Sequence, residues 1–278
     1  MMHRIEHHDS LKVEDRKVSQ PITAAAQEFF YDLTRFTLAD MVRCGGMVRR
    51  LAADAPTMEE AAQAVTVYLY EHLLDKASNR RACVLVRLFK THPYGGLSAE
   101  LQSFAAAMAH GAALSTDSNC LTLLGSAGEE PQWNSRRTSK AHQCIPLLSE
   151  AMLEQFPMIS QMIRQLGLTT AEVMRTSPEL AAQLERRRFG VFHVPVALGS
   201  PFVPAQKDFV VPYNVQSVLG CSDVLPDGDI FVLMIFARVA ITAATAQMFH
   251  TVALSLKLGL LTLAERPVFI DGAIPGER

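Results

Sequence analysis

Residues 216–238 read QSVLGCSDVLPDGDIFVLMIFAR, and this stretch decides the class of fold. Two apolar runs rich in Val, Leu and Ile flank the turn sequence PDGD. Asp227–Gly228 between two such runs is a strong short-range signal for a hairpin, because both residue types tolerate the backbone of a tight turn. The pattern predicts two antiparallel strands of a sheet.

Upstream segments supply the other strands of that sheet. ACVLVRLFK (82–90) and CLTLLGSAG (120–128) have the apolar, β-branched content of strands, and FGVFHVPVA (189–197) is expected to be extended. The order is helices, two strands, a helical insertion, a short strand, the hairpin and a helix, without the alternation typical of a parallel sheet. We therefore expect an α+β fold, with a central antiparallel sheet, flanking helices, long N-terminal helices and a C-terminal helix.

Helical periodicity and capping residues predict the remaining elements. Apolar residues recur at helical spacing from Pro21 to Leu51, which predicts one long helix that Gly45–Gly46 bends or splits. The later helix starts are marked by hydroxyl residues or prolines, namely Thr57 with Glu60, Ser98, Ser149, Pro157, Thr169 with Glu172, and Ser177–Pro178. The final helix, 241–263, is apolar nearly all round, so we expect it to be buried on two sides.

These elements divide the chain into four parts. We expect a disordered tail at 1–19, a helical segment at 20–54 that is a candidate for dimerisation, the main domain at 55–262 and a C-terminal tail at 263–278.

Composition excludes several classes of protein. The net charge of −2 provides no positive field for nucleic acid or for an anionic membrane. The N-terminus lacks the apolar core of a signal peptide, and the most apolar run, 230–246, contains Arg238. Five scattered cysteines form no disulfide framework. We expect a soluble cytoplasmic protein that binds neither nucleic acid nor membrane.

The stretch GSPFVPAQKDFVVPYNVQSVLG (199–220) is apolar, although three prolines exclude regular pairing. Such a segment is ordered by burying its large side chains. We expect it to cover a small-molecule cavity on the sheet, with Gln206, Phe209 and Tyr213 as ligand-binding candidates. The alternative is a rigid connection that merely closes the core.

Two candidates lie in the polar segment EEPQWNSRR. Trp133, the single tryptophan, either stacks on a ligand or anchors its loop to the domain. Arg136 offers a planar fork for a carboxylate or phosphate, and the alternative is a solvated surface arginine.

His142 and Cys144 alternate in AHQCIP, so in an extended strand they face the same way. With His193 they complete the set of candidate ligand-binding residues. A metal needs three or four ligands, and no second short-spaced pair exists, so no metal ligand is assigned; a metal site of His142, Cys144 and His193, or haem on one of these histidines, is a weaker alternative. No GxSxG, HExxH or P-loop motif occurs, and no catalytic residue is predicted.

Segments 131–147, 157–167 and 199–238 together resemble a GAF-like segment of bacterial signalling proteins, and the order of elements over 55–262 resembles the GAF family. The resemblance implies a pocket under a helix-and-loop cover and flanking helices that often dimerise. The chain lacks the Asn–Lys…Phe…Asp–Glu pattern of cyclic-nucleotide binders and the Cys–His dipeptide of bilin attachment. Neither ligand is carried over, and the cofactor stays unknown.

The leading hypothesis is a non-enzymatic sensor that binds a small molecule. It would signal as a homodimer through its terminal helices, or to a partner protein. A second hypothesis is a GAF-like redox enzyme that acts through Cys144 with Cys120 or Cys221. A third is a dimerising scaffold without a ligand.

Overall fold

The computed structural model describes residues 29–140, 142–165, 167–174, 182 and 190–271. Four predicted segments lie wholly or largely outside these residues: the tail 1–19, the first part of the predicted N-terminal helix, the helix opened by Ser177–Pro178 and the last residues of the C-terminal tail.

A six-stranded antiparallel sheet forms the centre of the structure. The described strands of the chain are β1 (Tyr31–Asp32), β2 (Leu73–Asp75), β3 (Arg80–Arg81), β4 (Cys83–Pro93), β5 (Asn119–Gly128), β6 (Cys144–Pro146), β7 (Phe192–Val194), β8 (Ser217–Val224) and β9 (Ile230–Ala237). The order in the large sheet is β6-β5-β4-β9-β8-β7, and every neighbouring pair is antiparallel. The predicted α+β class with a central antiparallel sheet is confirmed.

The hairpin of β8 and β9 has the turn that the sequence predicts. Val224 pairs with Ile230, and Gly228 has a φ of 91°, a left-handed backbone that favours glycine. The amide of Gly228 donates to the carbonyl of Leu225 at 2.9 Å, and Asp227 accepts from the amide of Asp229 at 3.0 Å. The side chain of Asp227 therefore completes the turn.

Helices flank the sheet on both faces. The described helices are α1 (Leu38–Ala53), α2 (Met58–His72), α3 (Ala99–Met108), α4 (Glu150–Leu153), α5 (Pro157–Gln165), α6 (Thr170–Met174) and α7 (Ala243–Leu260). The predicted caps are present at Thr57, Ser98 and Ser149, each of which accepts a hydrogen bond from a backbone amide of the first turn.

The predicted continuous helix from Pro21 to Leu51 is wrong in its described part. Residues Tyr31–Asp32 form β1, which pairs in parallel with β2, and α1 begins only after Thr37. Thr37 and Asp40 form a capping box that favours a helix start at this point. Gly45–Gly46 do not split the helix, because α1 runs unbroken through them.

Alternation along the strands separates two buried clusters. On β9, Phe231, Leu233 and Ile235 belong to a cluster with α1, α2, α3 and α7, and the intervening Val232 and Met234 belong to the other. Successive strand side chains point to opposite faces, so one face carries the long helices. The opposite face carries α4, α5, α6 and the loop that precedes β8.

Close contact between α2 and the sheet depends on one glycine. A Cβ atom built on Gly125 of β5 would lie 2.4 Å from the backbone carbonyl of Ala62. The side chain of Gln63 on α2 donates to the carbonyl of Ser126 and accepts from its amide, at 3.0 and 3.2 Å. The absence of a side chain at Gly125 thus lets the two backbones approach closely, and the Gln63 side chain joins helix to strand.

The last helix is packed against α1 and β8. The segment Ala243–Leu263 is long and apolar enough to cross a membrane by composition, but its buried residues, such as Phe249 and Leu256, belong to the cluster of the helical face. It also keeps an exposed side, on which Leu254 and Leu258 are 45% and 42% exposed.

Candidate ligand-binding cavity

A cavity of about 300 Å³ lies on the sheet face opposite the long helices. It is lined by strand residues Leu85, Arg87, Phe89, Leu121, Ile145, Met234 and Phe236, by Trp133 and His142, by Gln155, Phe156, Pro157, Met158, Ile159 and Met162, and by Val203, Pro204, Ala205 and Phe209. The volume is at the lower end of the range for small-molecule pockets. The sheet forms its floor, and two separate segments, 155–162 and 203–209, form its roof.

The proline-rich stretch forms part of this roof and is more regular than the sequence indicates. Gln206–Val210 form one wide helical turn, in which the amide of Val210 donates to the carbonyl of Ala205 at 3.0 Å. The amide of Val215 likewise donates to the carbonyl of Val210 at 2.9 Å. The expectation that the loop lacks regular hydrogen bonds is therefore wrong over these residues.

The side chain of Gln206 stabilises the same loop. Its amide nitrogen donates to the carbonyls of Ala197 and Val203 at 3.0 and 2.6 Å, and its oxygen accepts from the amide of Gly199 at 2.9 Å. These bonds satisfy backbone groups that no strand pairs. Gln206 is a predicted binding residue, and the structure places its polar groups on the loop backbone.

An aromatic cluster joins the roof to the segment after β5. Trp133 lies edge-on to Phe209 with ring centroids 5.6 Å apart, and 4.8 Å from the ring of Tyr213. Phe209 also contacts Phe236 of the floor, at 5.2 Å. The hydroxyl of Tyr213 donates to Glu130 at 2.9 Å, which fixes the outer end of the cluster. Trp133 and Phe209 line the cavity, and Tyr213 packs behind them.

Arg87 is the charged residue of the cavity wall. It lies on β4 opposite Met234 and is 8% exposed. One terminal nitrogen donates to Ser139 Oγ at 2.9 Å, and the buried Nε has no partner among the described residues. Burial lowers the pKa of Arg87 to about 10, so the guanidinium is still charged at neutral pH.

His142 lines the cavity from a left-handed backbone, with a φ of 60°. Part of the side chain is exposed, but loss of water around the ring, and secondarily the charge of Arg87, lower its pKa below the usual value. It is therefore neutral at pH 7. A non-glycine residue with a positive φ costs free energy and often marks a functional position.

His142 and Cys144 do not share a face, contrary to the prediction. The left-handed backbone of His142 breaks the two-residue alternation, and the strand begins only at Cys144. Cys144 is fully buried in the cluster of the helical face, where its Sγ lies 3.6 Å from Thr122 Oγ1. His142 thus faces the cavity and Cys144 faces the helices.

The other predicted residues also lie elsewhere. Arg136 is buried and forms an ion pair with Glu59 of α2, and its guanidinium lies over the ring of Phe269 at 5.3 Å. His193 lies on the edge strand β7, where its Nε2 is 2.9 Å from the carbonyl oxygen of Ile241. Neither residue lines the cavity. In the part of the chain that the structure describes, no cluster of metal-ligating side chains brings the two histidines and Cys144 together.

All five cysteines are buried, and the cavity lining contains none of them. Burial raises the pKa of both Cys83 and Cys221 to about 12 and also raises that of Cys44. The thiols of Cys44, Cys83 and Cys221 are therefore protonated at neutral pH and act as small apolar groups.

Sequence reasoning missed Arg87 and the segment 155–162. Arg87 stands in the apolar run VLVRLF, and an arginine inside a buried strand was a usable signal, because charged residues are rarely buried unless they are paired. The segment around Phe156 and Met162 has the pattern of an ordinary amphipathic helix, which does not show what its apolar face covers.

Comparisons with known proteins reveal similarity at the level of fold. No family model matches the chain, and neither does any curated protein. Among solved structures, a free methionine-R-sulfoxide reductase from Neisseria meningitidis is 12% identical, with a TM-score of 0.43, and the match covers 84% of this chain and 96% of that one. A GAF domain from A. aeolicus is 9% identical, with a TM-score of 0.41 and coverage of 80% and 94%.

A GAF domain from a phosphoenolpyruvate-protein phosphotransferase of Coxiella burnetii is 13% identical, with a TM-score of 0.39 and coverage of 80% and 91%. Similarity at this level concerns the fold and carries no ligand or activity to this chain. The six-stranded antiparallel sheet flanked by helices is the α+β architecture that the sequence predicts.

Proposed function

We propose that this protein is a non-enzymatic sensor that binds a small molecule in the cavity between the sheet and its two roof segments. The observation that carries the proposal is the cavity itself, an apolar space of about 300 Å³ under an ordered loop. Apolar pockets with a few convergent polar groups are typical of small-molecule sites. The protein would act in the cytoplasm and signal to a partner protein or within a dimer.

Binding of an apolar alcohol tests the proposal. We expect 1-octanol to raise the Tm of the purified protein by a few degrees, because a ligand that binds only the folded state stabilises it. The variant Met162→Trp, which enlarges a buried roof side chain, should abolish this shift by occupying the cavity. Differential scanning calorimetry measures both.

Leu198→Trp is the control, since Leu198 lies shortly before the roof segment 203–209, is 64% exposed and does not line the cavity. It should respond to 1-octanol like the wild type. An unchanged Tm of the wild type at the solubility limit of 1-octanol, together with no co-purifying molecule by native mass spectrometry, would contradict the proposal and favour a scaffold.

Dimerisation through the terminal helices is the second part of the proposal. On α7 the exposed residues Gln247, Thr251, Leu254 and Leu258 recur at intervals of four, three and four, which is the spacing of a helix–helix seam. The double variant Leu254→Glu with Leu258→Glu would place like charges in such a seam. We expect it to shift the protein from dimer to monomer in light scattering.

Val211→Glu is the control for this experiment. Val211 is 60% exposed, but it lies in the roof loop on the other face of the sheet. A protein that is monomeric at high concentration before any substitution would contradict the dimer, while cavity binding would stand.

The alternative of a cysteine-dependent redox enzyme has less support from the site. A reductase of this kind needs thiols that reach its substrate. Cys144 and Cys120 are fully buried in the cluster of the helical face, and Cys221 belongs to the same cluster. A substrate in the cavity would be separated from all three by the sheet.

A further inference from the structure

Arg87 carries a charge that the described protein groups do not neutralise. It forms a hydrogen bond to Ser139 Oγ, its Nε has no partner, and it takes part in no ion pair among the described residues. A buried charge is strongly unfavourable unless it is paired and fully hydrogen-bonded. The guanidinium therefore favours an anion at this point of the wall.

The described cavity wall contains no acidic side chain that would compete with a bound anion for Arg87. No carboxylate lines the cavity within the described part of the chain, and the other polar side chains are Gln155, His142 and the indole of Trp133. Since burial and the charge of Arg87 keep His142 neutral, the net charge of the wall is +1 at pH 7. One charge matches a monoanion and leaves the second charge of a phosphate monoester uncompensated in an apolar space.

Geometry favours a carboxylate in particular. A guanidinium presents its donors in a plane that matches the two oxygens of a carboxylate. Arg87 donates to Ser139 from one terminal nitrogen, and the other terminal nitrogen makes no hydrogen bond among the described residues, so it keeps its donors for a second acceptor. The surrounding wall, which includes Phe89 and Phe236, is apolar and suits the uncharged hydrocarbon part of a ligand.

The volume of the cavity limits the size of the ligand. A water-sized group occupies about 30 Å³, so 300 Å³ accommodates roughly ten such groups. We propose that the ligand is an apolar monocarboxylate of roughly ten non-hydrogen atoms, whose carboxylate pairs with Arg87. This inference rests on the proposed function, because it concerns the ligand of the same cavity.

Four eight-carbon probes that differ in their head group test the ligand class on the wild-type protein. They are octanoate, 1-octanol, octylammonium and octyl phosphate, and isothermal titration calorimetry gives their affinities. We expect octanoate to bind at least about tenfold more tightly than 1-octanol and octyl phosphate, as expected for hydrogen bonds to a charged group. Octylammonium should be the weakest, because its charge repels that of Arg87.

Substitution of Arg87 tests the role of the residue. Arg87→Met should bind 1-octanol as the wild type does and lose the preference for octanoate. Arg87→Lys retains the charge without the planar fork and should keep part of the preference. The control Arg137→Met removes a half-exposed arginine that pairs with Asp271 and should keep the full preference.

The outcomes separate the ligand class from the proposed function. Equal binding of octanoate and 1-octanol to the wild type would overturn the carboxylate inference and leave a binding cavity in place. Binding of neither would contradict the proposed function itself. Retention of the octanoate preference in Arg87→Met would exclude Arg87 as the partner, and if that variant does not fold, the wild-type ratio and Arg87→Lys decide.

Discussion

Replacing Asp229 by Asn is expected to lower the free energy of unfolding by about 3–5 kcal/mol, because it leaves the cation of Lys90 buried without its anion. Lys90 is 2% exposed, and its Nζ donates to Asp229 Oδ2 and, at 3.1 Å, to the carbonyl of Thr91. The hydroxyl of Thr91 donates to the other oxygen of Asp229 at 3.0 Å. For a chain of this size the loss corresponds to a fall in Tm of about 10 °C.

Two further variants make this prediction specific. Asp227→Asn removes a carboxylate that lies 4.0 Å from the same Nζ but is 56% exposed, so it should change stability by about 1 kcal/mol or less. The double variant Lys90→Met with Asp229→Asn removes both charges and should be more stable than Asp229→Asn alone. Urea denaturation measures all three, and equal stability of the two single Asp variants would show that the buried pair contributes nothing.

Acidification is expected to destabilise the protein through His92. Burial and, secondarily, the charge of Lys90 lower the pKa of His92 to about 4 from the usual 6.5. Between these two pH values the unfolded chain binds more protons than the folded one, so stability falls as the pH falls. The loss begins near pH 6.5, is complete near pH 4 and amounts to roughly 3 kcal/mol.

The variant His92→Gln isolates this contribution. Its free energy of unfolding should fall less between pH 6.5 and pH 4 than that of the wild type, by roughly the 3 kcal/mol given above. The comparison at pH 8, where the histidine is neutral in both states, measures the packing against Phe269 that the substitution removes. Identical pH dependence of the two proteins would mean that His92 titrates normally in the fold.

The parts of the fold that sequence predicted correctly depend on local chemistry. The hairpin at Asp227–Gly228 and the helix starts at Thr57 and Ser98 depend on a few adjacent residues. In each case the side chain of Asp227, Thr57 or Ser98 accepts a hydrogen bond from a nearby backbone amide. The first helix was predicted too long because Tyr31–Asp32 pair with Leu73–Leu74, some forty residues away. Apolar spacing alone does not reveal such a partner.

The candidate site was harder to predict because it depends on register and on distant contacts. Phe209 and Trp133 line the cavity, and the sequence singled them out because large aromatic side chains in proline-rich or polar loops are expected to be buried. The orientation of His142 depends on one left-handed residue conformation, which strand alternation does not anticipate. The role of Arg87 depends on Ser139, a neighbour 52 residues later in the chain, and on the two roof segments.

The position of the cavity has a mechanical consequence. Met234 borders the cavity, whereas its chain neighbours Leu233 and Ile235 belong to the cluster that includes the terminal helices. Under the proposed function, a bound ligand and the terminal helices would contact opposite faces of the same strand and not each other. A signal of binding would then have to pass through the sheet, as a change in the twist or curvature of β9 and its neighbours.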